Sequence, residues 1–207
     1  MKVLIATRSQ HKMREIEEIL GSLPGVTLTN LSELAVPYEE VEEDIEAYPT
    51  FEQNAVAKAH YFAGLTGLPT ISDDSGLEVE ALQGGPGVRT KRFAPVGPGV
   101  DQDRANNRYL VQKLAGLPPS RRGARYVCVA AFVGASDPEP VTFRGEVGGI
   151  ILDEPAGQGG FGYDPFFFVP EIGMTFAQAD AATKNALSHR GRAFKALREY
   201  LEGLAPS

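Results

Sequence analysis

The sequence is poor in the residues that mark several classes of protein. It has a single cysteine, Cys128, so it forms no internal disulfide. It has no C-x-x-C pattern and only three scattered histidines, which argues against a zinc site. No apolar run approaches the roughly 20 residues of a membrane span, and the N-terminus lacks a signal-peptide pattern. We therefore expect a cytoplasmic, soluble protein with no membrane partner and with Cys128 as a small buried core residue.

Positive charge is also scarce. The formal net charge is -7, which argues against broad electrostatic binding to nucleic acid but is compatible with a local basic pocket for a small anion. The chain has 207 residues, 43% of them apolar, and shows no internal repeat or linker. These properties predict one globular domain over residues 1–207.

Hydrophobic patterning predicts alternating strands and helices, and hence an α/β fold with a mixed sheet. The helices are predicted to follow Ser9, to run from Thr50 to Gly64, and to cover 103–114 and 184–201. Predicted strands lie at 2–7, 26–30, 68–72, 77–82, 124–135, 141–152 and 166–169, with a hairpin turn at 136–140 and an irregular basic loop at 84–100.

Two adjacent acids, Asp73 and Asp74, follow an apolar strand in the stretch "TISDDSGLEVEAL" (70–82). Adjacent carboxylates repel each other unless water, a cation or hydrogen-bond donors take up the charge. Asp, Ser and Gly are turn residues, so a turn between two strands is one interpretation. A metal site is the other, and the stretch alone leaves both open.

Two basic groups are candidates for anion binding. "ATRSQHKMRE" (6–15) runs from a strand end to a helix start, where free N–H groups and the helix dipole favour a phosphate; a capped surface helix is the alternative. Lys184, His189, Arg190 and Arg192 gather on the predicted last helix. "FGYD" (161–164) offers two aromatic rings for stacking and Asp164 as an acceptor, with aromatic core packing as the alternative.

Three other motifs are rejected. "GQGGFG" (157–162) matches a dinucleotide-binding pattern, but Pro165 and a β-prone run follow where a helix is needed. A Walker-type loop and a nucleophile elbow are both absent.

A phosphate cradle, a carboxylate pair and an aromatic slot together indicate a nucleotide-hydrolysing enzyme.

The same residues resemble the inosine triphosphate pyrophosphatase family over nearly the whole chain. The shared blocks, in order, are "LIATRSQHKMREI", "FEQNAVAKA", "SDDSGLEV", "GGPGVRTKRFA", and "GGFGYDPFFFVP" with "KNALSHRGRA". The resemblance implies an elongated, twisted mixed sheet flanked by helices, with two lobes around a central substrate cleft. It also implies a homodimer that requires Mg²⁺ and cleaves ITP, dITP or XTP to the monophosphate and pyrophosphate.

The resemblance assigns roles to matching positions. Asp74 matches the general base and, with Glu46, the metal-binding carboxylates. Substrate-binding positions are matched by Thr7, Arg8, Ser9, Gln10, His11, Lys12, Ser75, Phe161, Gly162, Tyr163, Asp164, Lys184, His189 and Arg190. Lys12 and Arg8 are expected to offset triphosphate charge, and His189 and Arg190 to donate to a 6-keto oxygen of the base.

Three positions depart from the family pattern. Ser9 stands where Asn is usual, Gln53 where Glu is usual, and Arg89 where an aromatic is frequent. Ser9 keeps a hydrogen-bonding group, whereas Gln53 lacks a negative charge. These departures leave open a regulatory module that binds a nucleotide without turnover, and a general phosphatase is a further alternative.

Overall fold

A seven-stranded mixed sheet organises the chain. The computed structural model describes residues 1–97, 99–135 and 139–204. The strands are β1 (Lys2–Ile5), β2 (Thr27–Asn30), β3 (Thr70–Val79), β4 (Gly123–Val133), β5 (Val141–Ile151), β6 (Phe167–Val169) and β7 (Met174–Thr175). Their order across the sheet is β2-β1-β3-β4-β5-β6-β7. β1 pairs in parallel with β2 and β3, whereas β6 pairs antiparallel with β5 and β7. The predicted α/β class with a mixed sheet is confirmed.

Six α-helices accompany the sheet in the described ranges. They are α1 (Gln10–Leu20), α2 (Glu42–Ile45), α3 (Phe51–Thr66), α4 (Gln102–Lys113), α5 (Ala181–Leu187) and α6 (His189–Leu204). Ser9, Thr50 and Asp101 cap α1, α3 and α4, each accepting a hydrogen bond from the backbone N–H three residues on. None of these helices combines the length and the apolar character needed to cross a bilayer.

The chain divides into two compact units, each made of separate stretches. Unit 1 comprises Met1–Asp74, Cys128–Gly145 and His189–Ser207, and unit 2 comprises Ser75–Val127 and Glu146–Ser188. Whether the chain acts as the single domain predicted over residues 1–207 stays a prediction.

The core of unit 1 follows from strand alternation. Successive side chains of a strand point to opposite faces. Val3 and Ile5 of β1 therefore pack with α1 and α6, whereas Leu4 packs with Phe62 of α3. Cys128 is fully buried in the α1–α6 core, as predicted, and burial raises the pKa of its thiol to about 12.

The core of unit 2 is rich in aromatic side chains. The rings of Tyr126, Phe167 and Phe176 lie together, with centroids 4.5 to 6.3 Å apart. Tyr163 is buried in the same cluster. Tyr163 of "FGYD" is therefore part of the aromatic core, in agreement with the alternative interpretation of this motif.

The predicted turn at Asp73 and Asp74 is wrong. β3 runs without a break from Thr70 to Val79, and residues 80–82 form a short 3-10 turn instead of continuing a second strand. Turn residues stay extended here because both carboxylates find buried partners, so neither has to reach solvent.

The single predicted helix over 184–201 is also wrong. α5 ends at Leu187, Ser188 is extended (ψ 161°), and α6 begins at His189. No proline or glycine marks this break, and serine itself favours the residue before a helix start. Lys184 thus lies on a different helix from His189 and Arg190.

Smaller corrections concern boundaries and loops. α3 continues past Gly64 to Thr66 and ends at Gly67, whose left-handed conformation (φ 68°) suits a C-cap. The predicted loop at 84–100 contains a 3-10 helix over Gly87–Arg92. Residues 136–138 of the predicted hairpin turn lie outside the described residues.

Candidate functional site

Asp73 and Asp74 project to opposite faces of β3. Ile71, two residues before Asp73, belongs to the α1–α6 core, whereas the Ser72 hydroxyl donates to the Ala55 carbonyl of α3. With a period of two, Asp73 faces α1 and α6, and Asp74 faces α3. The two carboxylates therefore have different hydrogen-bond and ion-pair partners, although they share one strand.

A buried ionic network surrounds Asp73, whose side chain is 0% exposed. Its Oδ2 lies 2.8 Å from Lys12 Nζ of α1 and 3.5 Å from Arg190 Nη2 of α6. The Arg190 guanidinium also donates to Glu15. Burial alone raises the pKa of Asp73, but the nearby positive charges outweigh it and hold the pKa well below its usual range.

On the other face, Asp74 contacts α3. Its Oδ2 accepts a hydrogen bond from Asn54 Nδ2 at 2.9 Å, and its side chain is 6% exposed. Burial, reinforced by the negative charge of Glu46, raises the pKa of Asp74 above its usual value despite opposing charges on Lys12 and Lys58. A buried carboxyl with a raised pKa is suited to accept a proton.

Lys58 of α3 connects the acids on this face. Its ammonium pairs with Glu46 and donates to the backbone carbonyl of Asp73. Burial lowers the pKa of Lys58, but the charges of Glu46, Asp73 and Asp74 outweigh this effect and raise it. Lys58 therefore carries a positive charge among three acids at neutral pH.

The oxygen ligands that this region offers determine whether it fits a divalent cation. Across the described ranges, no group of three or more His, Cys, Asp or Glu side chains has the arrangement of a metal site. Glu46 nevertheless pairs directly with Lys58, and the charge of Asp74 acts on the same ammonium, so two carboxylates lie in its neighbourhood. Mg²⁺ commonly takes only one or two protein carboxylates, completing its shell with water and phosphate, so this oxygen set fits it.

The predicted phosphate loop lines a cavity. Ser9 Oγ caps α1 by accepting from the Lys12 N–H at 3.4 Å, and the Ser9 N–H donates to Thr7 Oγ1 at 3.2 Å. Gln10 and His11 form the exposed first turn of α1. A cavity of about 450 Å³ is lined by Thr7, Arg8, Ser9, Gln10, Met13, Arg14, Asn30, Leu31 and Ser32. Its position at the start of α1 suits an anion, because the first N–H groups of a helix and the helix dipole favour negative charge.

Two predicted site residues of unit 1 are already engaged. The Arg8 guanidinium contacts Glu42 and the carbonyls of Val36 and Pro37, so it does not project freely toward a ligand. Arg190 is 1% exposed and bound to Glu15 and Asp73. His189, also buried, is the first residue of α6.

In unit 2, Asp164 and Lys184 form a buried pair. Lys184 Nζ lies 2.7 Å from Asp164 Oδ2 and 4.9 Å from the ring centroid of half-buried Phe161. The same Asp164 oxygen accepts from the Phe161 N–H at 2.9 Å. Asp164 thus fixes the loop 161–164, which leaves the Phe161 ring partly exposed for stacking.

Helix α4 holds the same loop from the other side. The Gly162 N–H donates to Asp103 Oδ2 at 3.0 Å, and the Gly162 carbonyl accepts from Asn107 Nδ2 at 2.8 Å. Asp103 and Asn107 are four residues apart, so they project from one face of the helix. Gly162 has φ 60°, a conformation that glycine adopts without strain. Ser75, the first residue of unit 2, is buried on β3.

Sequence reasoning missed Lys58, Asn54, Asp103 and Asn107, and it did not assign Asp73 a partner. For Asn54 and Lys58 a signal was present. Both fall on the helical stripe of Phe51, Ala55, Ala59 and Phe62, where a polar residue must be buried and therefore paired.

The protein is of the α/β enzyme class. Its mixed sheet carries buried acids beside a basic loop, and Ser9 of this loop caps helix α1. The chain belongs to the Ham1 family, whose sequence profile matches residues 3–200. The family membership predicted from the sequence blocks is confirmed.

Two relatives illustrate the extent of the similarity. A dITP/XTP pyrophosphatase of Geobacter sulfurreducens is 45% identical over 97% of this chain and 96% of its own length. A dITP/XTP pyrophosphatase of Thermus thermophilus is 44% identical over 100% of this chain and 95% of its own length.

Solved structures show the same fold. A HAM1 protein from Coxiella burnetii superposes with a TM-score of 0.84 at 36% identity, covering 98% of this chain and 99% of that one. A nucleoside-triphosphatase / dITP/XTP pyrophosphatase from Mycobacterium abscessus gives a TM-score of 0.73 at 41% identity, covering 95% and 98%.

Proposed function

We propose that this protein hydrolyses the non-standard purine nucleoside triphosphates ITP, dITP and XTP to the monophosphate and pyrophosphate. The observation that carries the proposal is the Lys12–Asp73 ion pair. This pair ties the predicted phosphate loop to the strand residue directly before Asp74. Lys12 also acts electrostatically on Asp74, which supports a triphosphate held at the loop lying near a buried carboxyl that can accept a proton.

Mg²⁺ is the proposed cofactor, held by Glu46 and Asp74. When bound there, it would lower the pKa of a water ligand and offset negative charge on the phosphates. Lys58 already balances these acids in the protein itself. Two carboxylates near one ammonium support the proposal that a divalent cation binds at this position.

The chain's own residues supply the remaining steps. Asp74, oriented by Asn54, takes the proton of the water that attacks the α-phosphorus. Ser9, Thr7 and the first N–H groups of α1 bind phosphate oxygens, and Lys12 contributes positive charge from beneath the loop. The bond between the α-phosphorus and the bridging oxygen breaks, and pyrophosphate leaves.

Donation of a hydrogen bond to the base is proposed for His189, on the family resemblance. A donor aimed at a 6-keto oxygen would face the 6-amino group of adenine, and such mismatches reject a substrate by about 10⁴-fold or more. Phe161 offers its partly exposed ring for stacking. Because the Arg190 guanidinium is held by Glu15 and Asp73, we assign it to the Asp73 network and not to direct contact with the base.

One assay tests this function. The purified protein is incubated with ITP or XTP and Mg²⁺, and the products are identified by ion-exchange chromatography. We expect monophosphate and pyrophosphate in equal amounts, and ATP turnover lower by at least about 10³-fold. Diphosphate with orthophosphate would indicate a general phosphatase, and tight binding without products a regulatory module.

Two departures from the family pattern, Ser9 and Gln53, favour the alternative function of a regulatory module that binds a nucleotide without turnover. Ser9 performs the capping task for which Asn is also suited. The Gln53 side-chain oxygen accepts from the Thr50 hydroxyl at the start of α3. Neither departure therefore removes a group that the proposed reaction uses.

Loop anchoring by α4 gives a further prediction. Asn107→Ala removes the donor to the Gly162 carbonyl, so we expect KM for ITP to rise about five- to tenfold with kcat changed less than threefold. Steady-state kinetics with ITP measure both constants. Arg108→Ala, at an exposed neighbouring position of α4, is the control and should match wild type. An unchanged KM in Asn107→Ala would remove the loop from substrate binding.

The assembly and location are proposed on the family resemblance. We infer a homodimer acting in the cytoplasm, without nucleic-acid or membrane partners. Light scattering coupled to gel filtration should return twice the 22.2 kDa mass of one chain. A monomeric mass at micromolar concentration would contradict the dimer.

A further inference from the structure

Arg8 lies in the predicted phosphate loop, but its side chain makes contacts that phosphate binding does not explain. Its Nε and Nη2 lie 3.0 and 2.6 Å from the two carboxylate oxygens of Glu42, a bidentate pair. Nη1 donates to the Val36 carbonyl at 2.9 Å and Nη2 to the Pro37 carbonyl at 2.8 Å. Four of the five N–H groups of an arginine are thereby used.

The partner of Arg8 is the segment 36–46, in which Val36 packs against the cluster around Leu31 and Phe62 but helix α2 has no buried residue. Helix α2 has only four residues and none of them is buried. A helix of this length is not stable by itself, and it lacks the apolar packing that usually fixes helices. Its position therefore depends on polar contacts at its ends.

Those contacts lie at both ends of the segment 36–46. Arg8 binds its first part through Val36, Pro37 and Glu42, and Lys58 pairs with its last residue, Glu46. The Arg8 guanidinium also lies 5.8 Å from the ring centroid of Phe62 on α3, which adds a cation–π contact. The phosphate loop and the acid Glu46 are thus connected through one arginine.

We propose that Arg8 is a positioning residue that binds segment 36–42 and thereby places Glu46 for the divalent cation, and that it is not a phosphate ligand. The proposal rests on the proposed function for the role of Glu46. It replaces the sequence-based expectation for Arg8 while keeping Thr7, Ser9 and Lys12 in the phosphate site. A lysine at this position lacks the planar fork, so it would not hold the carboxylate and both carbonyls together.

The test compares Arg8→Ala, Glu42→Gln and the double variant by two independent measurements. The first is hydrogen–deuterium exchange of residues 36–46 in metal-free protein. The second is the Mg²⁺ concentration that gives half-maximal ITP hydrolysis, together with KM for ITP at saturating Mg²⁺. Arg144→Ala is the matched control, because it removes another exposed arginine–glutamate pair of unit 1, that with Glu52.

For both single variants we expect exchange in 36–46 at least about tenfold faster and a half-maximal Mg²⁺ concentration about fivefold higher. KM for ITP at saturating Mg²⁺ should change less than twofold. The double variant should be no worse than either single one, because the two residues act through one interaction. Arg8→Lys should give only partial rescue, and Arg144→Ala should match wild type.

Two outcomes would overturn the proposal. One is unchanged exchange in Arg8→Ala. The other is a raised KM in Arg8→Ala while Glu42→Gln behaves as wild type, which would make Arg8 a phosphate contact. The exchange measurement needs no substrate, so a protein that does not hydrolyse ITP contradicts the proposed function separately.

Discussion

Asp74→Asn is expected to lower kcat for ITP by about 10³-fold or more, the largest kinetic effect of any substitution in this protein. The variant loses both the proton acceptor and one of the two proposed metal carboxylates, and each contribution is large by itself. The free energy of unfolding should stay within about 1 kcal/mol of wild type. The amide oxygen still accepts from Asn54, and burial already disfavours the charged form of Asp74.

Single-turnover kinetics with ITP and a urea unfolding curve measure the two quantities. Asp44→Asn is the matched control, because it removes an exposed carboxylate of the same acidic stretch without touching β3. Its kcat should stay within twofold of wild type. If Asp74→Asn retains more than a tenth of the wild-type kcat, the role assigned to Asp74 is wrong.

Asp73→Asn is expected to cause the largest loss of stability, about 3 kcal/mol at pH 7. The substitution removes the negative charge and leaves Lys12 and Arg190 buried without their shared partner, and breaking a buried ion pair from one side costs about that much. Urea unfolding at constant protein concentration gives the difference. Glu202→Gln, in the exposed Arg198–Glu202 pair of α6, should cost less than about 0.5 kcal/mol.

The Asp73 contribution should also depend on pH in a defined direction. The pKa of Asp73 is lower in the folded protein than in the unfolded chain, so its stabilisation is fully present above about pH 4, the usual aspartate pKa. As pH falls below that value, wild type should lose this contribution by up to about 1.4 kcal/mol per pH unit. The stability difference between wild type and Asp73→Asn, measured in EDTA, should therefore shrink below pH 4. A difference that does not change with pH would show that Asp73 is not the charged partner of Lys12 and Arg190.

Local signals in the sequence were sufficient for most of the fold. Capping residues and apolar periodicity located the starts of α1 and α3, and the apolar runs located β1, β4 and β5. These features depend on neighbours within a few residues. The sequence blocks shared with the family indicated which loops carry functional residues. They did not indicate which residues those loops contact.

Contacts between distant residues could not be predicted in the same way. Asp73 stays in an extended strand because its charge is met by Arg190, which is 117 residues away in the chain. Turn propensity, a local property, gave the wrong answer there. The sequence likewise does not indicate the partners of the Arg8 guanidinium, which lie at residues 36, 37 and 42.

The two compact units have a consequence for how the polypeptide can be cut or rearranged. Unit 1 is assembled from three stretches of chain and unit 2 from two, with crossings after Asp74, Val127, Gly145 and Ser188. No single cleavage, truncation or gene split therefore releases either unit as one continuous piece. Any split of this enzyme into two fragments leaves at least one fragment with parts of both units, and a cut at the Asp74–Ser75 bond would sever β3 beside Asp74.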